Sequence, residues 1–471
     1  MSALSTLLEA RSVAVVGASA SEGKPGNILL RNIIENGYSG ALYPINPRGG
    51  EILGHEAYPS LRETPGELDL AIFLLPRQQV LPALQEAGDR GVRTAVIVSA
   101  GFAEVGREGK RLQAELKKVA ARAGIRCIGP NSIGFLNRKE RLIATFIPFR
   151  DWQDGPISLM GQWGIFAGAL GDDLMDRETQ RLGIGKNVSF GNMMDFDEVD
   201  FLDYCAGDPE TRLLGVHVES MRRPARFFAG AREVVLKKPI ILLKPGRTDL
   251  GADAASRHTG ERATDEKLVR QGVSRGGVVR ARDLDEFLAF LLGFSRQPLP
   301  PGGRVAVLSY SGGSNVLAVD ELIEAGLNLA RLSGETRRRL GRLLPDWQPV
   351  FDPSDIGVAQ GHENRKTHGE ALAALLDDPG VDAVLYILCA VQNSDFDGVG
   401  ETFREAIAGH PEKPVFLVAM GGAVKRAWLR ELEDTRLPVY PTTSLPIRTL
   451  GVMHRLAVFR RNAAEAEAPR G

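Results

Sequence analysis

Three short apolar runs punctuate the chain, and each leads through a Gly/Ser-rich turn into a segment of helical pattern. The first is Val13–Val16, followed by GASASEGKPG. The second is Ile157–Met160, followed by GQWGIFAGAL, and the third is Val305–Leu308, followed by SYSGGSNVLAVDEL. Their starts lie 144 and then 148 residues apart, the size of one α/β domain, so the spacing predicts three related units. Further apolar runs fall inside each unit: Leu70–Leu75 and Ala95–Ser99, Leu213–Val218 and Ile240–Leu243, Ala383–Leu388 and Val415–Val418. Runs without polar alternation are strands covered on both faces. Between them lie amphipathic stretches such as REGKRLQAELKKVAARAG, which ends on a glycine where a helix would close. The pattern predicts an α/β chain of three doubly wound parallel-sheet domains.

The seams between units are turn-rich: ATFIPFRDWQDGP near 144–156, and FSRQPLPPGGR at 294–304 with three prolines. They divide the chain into domains at 1–145, 155–296 and 303–460, with a frayed tail at 461–471. Composition narrows the function classes. A net charge of −1 gives no electrostatic reason to expect nucleic acid or an anionic membrane as a partner. With 43% hydrophobic and 25% charged residues, the chain has the composition of a soluble globular protein. Cys127, Cys205 and Cys389 have neither disulfide-framework nor zinc-site spacing, which fits a reducing compartment. The start, MSALSTLLEARSVAVVG, lacks the features of a secretory signal. No apolar stretch reaches the roughly 18 residues of a membrane span, and the expected location is the cytoplasm.

Several segments carry candidate chemistry. The turn from Gly17 through Gly23 to Gly26 follows a buried strand and opens a helix, where phosphate-bearing ligands sit in such folds. It is not G-x-G-x-x-G, and a packing turn is an equal account of it. His258 lies in KPGRTDLGADAASRHTG, a loop-like stretch of small residues that leaves room for a bulky anion. Imidazole is both nucleophile and proton carrier near neutral pH, although composition alone favours a merely solvent-exposed histidine. Glu219 stands at the end of an apolar run, where it could orient an imidazole or simply be solvated; His217, between two valines, reads as a core histidine. Gly129-Pro130-Asn131-Ser132 and Gly312-Gly313-Ser314-Asn315 are further turns that fit ligand loops or packing equally. Nothing in the histidine spacing suggests a metal site.

Taken in order, these motifs resemble a family. VAVVGASASEGKPGNILLRNIIENGYSGALYPINPR is similar to the CoA-binding start of the NDP-forming (ADP-forming) acyl-CoA synthetases, the acetate–CoA ligase type, to which succinyl-CoA synthetase α subunits are more distantly related. SAGFAEVGREG, IGPNSIGFLN, SFGNMMDFDEVDFLDYCAGDPETRLLGVHVES, KPGRTDLGADAASRHTGERATDEKLVRQGV, SYSGGSNVLAVDELIEAGL, FDPSDIG and LPVYPTTSLPIRTLG match successive family blocks over about residues 8–460. The resemblance implies one Rossmann-like CoA-binding domain followed by two flavodoxin-like ones, and synthesis of acyl-CoA from a small carboxylic acid, CoA and ATP through an acyl phosphate and a phosphohistidine. It implies that His258 is the phosphorylated residue and that Glu219 steadies it. It places CoA on Gly17, Ser19, Gly23, Lys24, Asn46, Pro47 and Arg48, with its thiol end near Ser99, Ala100, Gly101, Phe102 and Asn131. It puts phosphate at Gly161, Gln162, Trp163 and Gly164 and at Gly312, Gly313 and Ser314.

Some positions depart from the family pattern. Gly161-Gln162-Trp163-Gly164 replaces Ser-Gln-Ser-Gly, Ser132 replaces a cysteine, Ser314-Asn315 replaces Pro-Gly, and Arg257 replaces the serine before the histidine. No ATP-grasp domain follows residue 471, so the resemblance implies an α-type subunit. ATP and Mg2+ are then expected on a separate ATP-grasp β-type subunit, and the enzyme is expected to be a hetero-oligomer. Two rivals stay open: a non-catalytic CoA- or acyl-CoA-binding regulatory protein, and a nicotinamide-dependent oxidoreductase. Against the second stand the missing G-x-G-x-x-G and Asn46, where an acidic residue would be needed.

Overall fold

The computed structural model describes residues 3–149, 154–164, 182–357, 365–389, 398–420, 429–432 and 435–467. They form two compact units, one ending at Asp283 and one beginning at Leu284. The helical segment expected after Gly164 and the last four residues of the tail lie outside the described residues.

The first unit holds two large sheets. In the first, β1 (Ser12–Val16), β2 (Ala41–Ile45), a small hairpin of β3 (Gly50–Ile52) and β4 (His55–Ala57), then β5 (Leu70–Phe73), β6 (Thr94–Ile97) and β7 (Arg126–Ile128) follow in chain order. Its strand order is β2-β1-β5-β6-β7, all parallel. The order reverses at β1, which makes the end of that strand a topological switch point. Val13 and Val15 pack into one core and Ala14 and Val16 into another, because alternate side chains leave opposite faces. Burial on both sides is why the run shows no polar alternation. The helix Arg107–Ala123 closes as expected on Gly124 in the left-handed conformation.

The second sheet is built from β8 (Gly134–Asn137), β9 (Leu142–Thr145), β10 (Ile157–Gly161), β11 (Ile184–Ser189), β12 (Leu213–His217), β13 (Ile240–Leu243) and β14 (Val279–Ala281). Its order is β14-β13-β12-β10-β11-β8-β9, with the first five parallel and β8 and β9 antiparallel at the edge. The hairpin β8–β9 lies inside the span expected for the first domain, yet it pairs with the second sheet. Phe135, Leu142 and Ala144 are buried in the core that both sheets share, and that burial draws the hairpin across the seam. The switch point here is β10, between β11 and β12.

The second unit carries β15 (Arg304–Ser309), β16 (Asn328–Leu329), β17 (Ser354–Asp355), β18 (Ala383–Cys389), β19 (Val415–Met420) and β20 (Val439–Tyr440), all parallel. The helix Leu284–Arg296 belongs to this unit and not to the preceding one, where the sequence suggested a boundary near 296. Gly293 explains the preference: a methyl there would lie 2.4 Å from the Thr449 side chain on the final helix and 3.1 Å from Phe416 and Tyr440, so the helix packs closely against this unit. That final helix runs Ser444–Glu467 and so extends through residues 461–467, where the sequence suggested a frayed tail. Every apolar run named from the sequence is a strand within two residues of its expected ends. Among the described residues no helix is long and apolar enough to cross a membrane.

Candidate functional site

The carboxyl ends of β1, β2, β6 and β7 bring the first group of expected ligand residues to one edge of the first sheet. Gly17 takes φ +100°, and a methyl on it would lie 2.3 Å from the Leu74 carbonyl; one on Gly26 would lie 2.1 Å from the Gly17 carbonyl. Only glycines allow this turn to fold back on the helix Pro25–Glu35. Ser19 accepts from the Ser21 amide at 3.1 Å through its hydroxyl, and its carbonyl accepts from Asn27 at 2.9 Å. Gly23 and Lys24 are exposed at the helix start. Asn46 crosses from β2: its amide donates to the Ala18 carbonyl at 2.8 Å and its oxygen accepts from the Arg48 amide at 3.0 Å. Pro47 and Arg48 are exposed beside it.

Ser99, after β6, donates to the Leu75 carbonyl at 2.5 Å, and its own carbonyl accepts from the Asn131 amide at 2.9 Å. Asn131 is left-handed, at φ +60°. Ala100 is exposed, while Gly101 and Phe102 donate their amides to one oxygen of Glu104, at 2.5 and 3.1 Å. Burial works against the Glu104 carboxylate, but hydrogen bonds from Asn192, Gly101 and Phe102 outweigh it and lower the pKa. The Asn192 amide donates to Glu104 at 2.6 Å and to Gln113 at 2.9 Å. The loop Ser99–Phe102 is thus fastened to the strand-end loop of the second sheet.

The second group gathers at the ends of β10, β12 and β13. Gly161 ends β10, and its carbonyl accepts from the Phe190 amide at 2.8 Å. Gln162 is buried; Trp163 and Gly164 are half-buried, and the Trp163 ring stands 6.0 Å from that of His217. His217 is a core residue, as the sequence suggested. Burial, with Lys244 and His258 adding, lowers its pKa to about 4, so it is neutral at ordinary pH. Lys244, just past β13, is 1% exposed and donates to the Pro245 carbonyl at 2.7 Å. Burial and the neighbouring Arg280 lower its pKa to about 8, against the opposing pull of Glu266 and Glu219.

His258 is not in a loop. It is the penultimate residue of the helix Asp249–Thr259, which starts under a Thr248 cap and ends at Gly260 in the left-handed conformation. The small residues that read as a loop include three alanines, the best helix formers, and the segment has a side-chain cap, which together favour a helix. The helix buries Ala255 and Thr259 and leaves His258 facing out, with 57% of its side chain exposed. Glu219, just past β12 and 10% exposed, accepts from Nδ1 of His258 at 2.7 Å. A carboxylate only accepts, so the shared proton belongs to Nδ1 and the lone pair of Nε2 is left free. Arg257 beside it is exposed. Because His258 sits at a helix carboxyl end, its own helix offers no help to an anion there.

Gly312, Gly313 and Ser314 form the first turn of the helix Gly312–Glu324 at the end of β15, in the second unit. Their turn is braced by Ser309, which donates to the Ser311 carbonyl at 2.8 Å. The pattern along the chain did not single out Glu104, Asn192 or Lys244. Glu104 and Asn192 lie inside quoted family blocks; Glu104 falls in the short 3-10 helix Ala103–Val105 and Asn192 in the turn just past β11, and neither carries a residue-type signal that marks it out.

Residues 11–138 match the family described as a CoA binding domain, and residues 154–293 the family described as a succinyl-CoA ligase like flavodoxin domain. The chain is 36% identical over 439 residues to acetate–CoA ligase (ADP-forming) II subunit alpha of Pyrococcus furiosus, covering 91% of this chain and 93% of that one. It is 33% identical over 469 residues to the I subunit alpha of the same organism, covering 98% and 99%. Among solved structures, the dinucleotide-forming acetyl-coenzyme A synthetase 1 of Ca. Korarchaeum cryptofilum, in complex with phosphate and ADP, superposes with a TM-score of 0.90 at 30% identity over 99% of both chains.

Proposed function

Because the chain belongs to the ADP-forming acetate–CoA ligase family, we propose that it is the α-type subunit of an ADP-forming acyl-CoA synthetase, joining a small carboxylic acid to CoA at the expense of ATP. The observation that carries the reading is the 2.7 Å contact between Nδ1 of His258 and Glu219 on an otherwise exposed imidazole. With the Nδ1 proton donated to Glu219, Nε2 is the nucleophile. It attacks the terminal phosphorus of ATP; an N–P bond forms, the P–O bond breaks, and ADP leaves. A substrate carboxylate oxygen then attacks that phosphorus, the N–P bond breaks, and acyl phosphate forms with the imidazole restored. The CoA thiolate attacks the acyl carbon, and phosphate departs. The splitting replaces one difficult transfer by easier ones.

CoA binds at the edge formed by Gly17, Ser19, Gly23, Lys24, Asn46, Pro47 and Arg48, with its thiol end toward Ser99–Phe102 and Asn131. The family pattern and the gathering of these residues at the carboxyl ends of β1, β2, β6 and β7, on the edge that holds the switch point at β1, support that assignment. The segment Gly161–Gly164, chiefly through Trp163 and Gly164, and the turn Gly312–Ser314 meet phosphate. Mg2+ and ATP are held by a separate ATP-grasp β-type subunit, a reading supported by the subunit alpha naming of relatives that this chain matches over nearly their full length. The domains divide near 1–145, 155–296 and 303–460, except that the β8–β9 hairpin joins the second sheet and the helix Leu284–Arg296 belongs with the last domain. Buried free thiols at Cys127 and Cys205 suit the reducing cytoplasm as the place of work.

The test pairs the chain with an ATP-grasp partner and ATP labelled in the γ-phosphate. Acid-labile label on His258, lost in His258→Ala together with acyl-CoA formation while CoA affinity stays within about twofold, is the expected result. Turnover retained in His258→Ala overturns the reading. CoA binding without any phosphohistidine favours the regulatory alternative.

A further inference from the structure

The catalytic pair needs Glu219 held in place, and the structure shows what holds it. Glu219 opens a short loop after β12. The amide oxygen of Gln162, a side chain 6% exposed, accepts from two consecutive backbone N–H groups of that loop, Glu219 at 2.8 Å and Ser220 at 3.0 Å. The Gln162 backbone N–H also donates to the His217 carbonyl at 3.0 Å. Residue 162 thus grips the end of β12 and the loop beyond it. The loop in turn fastens the chain that follows the histidine helix: Ser220 donates its hydroxyl to the Arg262 carbonyl and the Met221 amide donates to the Thr264 hydroxyl, both at 2.7 Å.

We propose that Gln162 is a positioning residue for His258, acting through its amide oxygen on the Glu219–Ser220 backbone and so on the Glu219 carboxylate, and not chiefly a phosphate ligand. A buried acceptor that satisfies two adjacent N–H groups is costly to remove, because both donors are then left unpaired away from water. Without it the bonds of Ser220 to Arg262 and Met221 to Thr264 remain, but the Glu219–Ser220 backbone loses its side-chain hold at the end of β10, and the carboxylate drifts from where Nδ1 of His258 points. The amide nitrogen of Gln162 takes no part in these contacts. The role therefore needs only an acceptor at the end of the side chain, whereas a phosphate ligand would need the donor.

The inference rests on the function proposed above, but its principal readout does not require turnover. The full chain is labelled with 15N-histidine, and the His258 signals are identified by their loss in His258→Asn. At a pH where the ring is neutral, nitrogen shifts report which ring nitrogen carries the proton. The wild type is expected to show one tautomer, protonated at Nδ1. Gln162→Leu, which has no acceptor, is expected to show a mixture of tautomers and a phosphohistidine formation rate lower by about 10- to 100-fold, with CoA affinity unchanged. Gln162→Glu keeps an acceptor and loses the donor; it is expected to restore the single tautomer and to recover at least about tenfold of the rate lost in Gln162→Leu. A single Nδ1-protonated tautomer in Gln162→Leu overturns the proposal. So does Gln162→Glu transferring phosphate as slowly as Gln162→Leu with its tautomer intact, which would make the amide donor the active group. Failure of the wild type to form phosphohistidine would instead remove the function proposed above and leave the tautomer comparison standing.

Discussion

Oε2 of Glu219 lies 2.7 Å from Nδ1 of His258, although 39 residues of chain separate them. The pair is asymmetric, since the carboxylate is 10% exposed and the imidazole 57% exposed. A fixed anchor holds a ring whose Nε2 side is open, the side that the proposed function makes the nucleophile. Glu219→Ala is therefore expected to slow phosphohistidine formation by about 100-fold or more and to leave CoA affinity within about twofold. Rapid-quench labelling and calorimetry on the same preparation check the two halves of that statement.

Gly260 closes the histidine helix at φ +70°, and a methyl there would lie 2.2 Å from the Ala103 carbonyl. Both the conformation and the space demand glycine. Gly260→Ala is expected to destabilise the first unit by at least about 2 kcal/mol and to disturb the neighbouring loop Ser99–Phe102. Gly207→Ala, where nothing lies within 4 Å of the added carbon, is the matched control and is expected to shift stability by less than about 1 kcal/mol. Urea unfolding of both variants measures the difference.

His217 is neutral in the fold because burial lowers its pKa to about 4. In the unfolded chain an ordinary histidine takes up its proton near pH 6.5. Between those values the unfolded state binds the extra proton, so stability rises with pH across the window and is lost as pH falls from about 6.5 toward 4, by up to about 3 kcal/mol. His217→Gln is expected to flatten that part of the profile. Hydrogen exchange of the β12 amides between pH 7 and pH 4.5, corrected for the intrinsic rate, reads the effect locally.

Asn46 joins β2 to the glycine turn through Ala18 and Arg48. An acidic residue at this point would bond a ribose hydroxyl of a nicotinamide cofactor. The chain is expected to bind CoA at micromolar concentration and to give no heat with NAD. Asn46→Asp loses the donor to the Ala18 carbonyl and is expected to weaken CoA about tenfold. Calorimetric titration of both ligands into both proteins decides it, and NAD binding by the wild type would reopen the oxidoreductase reading.

Much of the fold was legible along the chain because buried parallel strands are uninterrupted apolar runs, and Gly17, Gly161 and Gly312 stand at or just past the ends of β1, β10 and β15. The pairing of the β8–β9 hairpin was not legible. Its residues read as the end of the first domain, and only the shared core that buries Phe135 and Leu142 assigns them to the second sheet. The helical state of His258 was missed for a local reason: glycine, alanine and serine look like a loop in composition, and that reading outweighed Thr248 and Gly260, the residue types that start and close a helix.

By itself the sequence determined the strand-and-turn order, the α/β class and the presence of a histidine and a carboxylate at places where such folds bind anions. Those follow from burial period and from glycine's conformational freedom, which are local properties of the chain. Only the tertiary structure decided that Glu219 and His258 meet, that Gln162 spends its oxygen on the Glu219–Ser220 backbone, and that Glu104 and Asn192 tie the loop Ser99–Phe102 to the second sheet. These are contacts between strand ends and loops far apart in sequence. Each depends on the register of a whole sheet, and no short-range pattern of residues encodes that register.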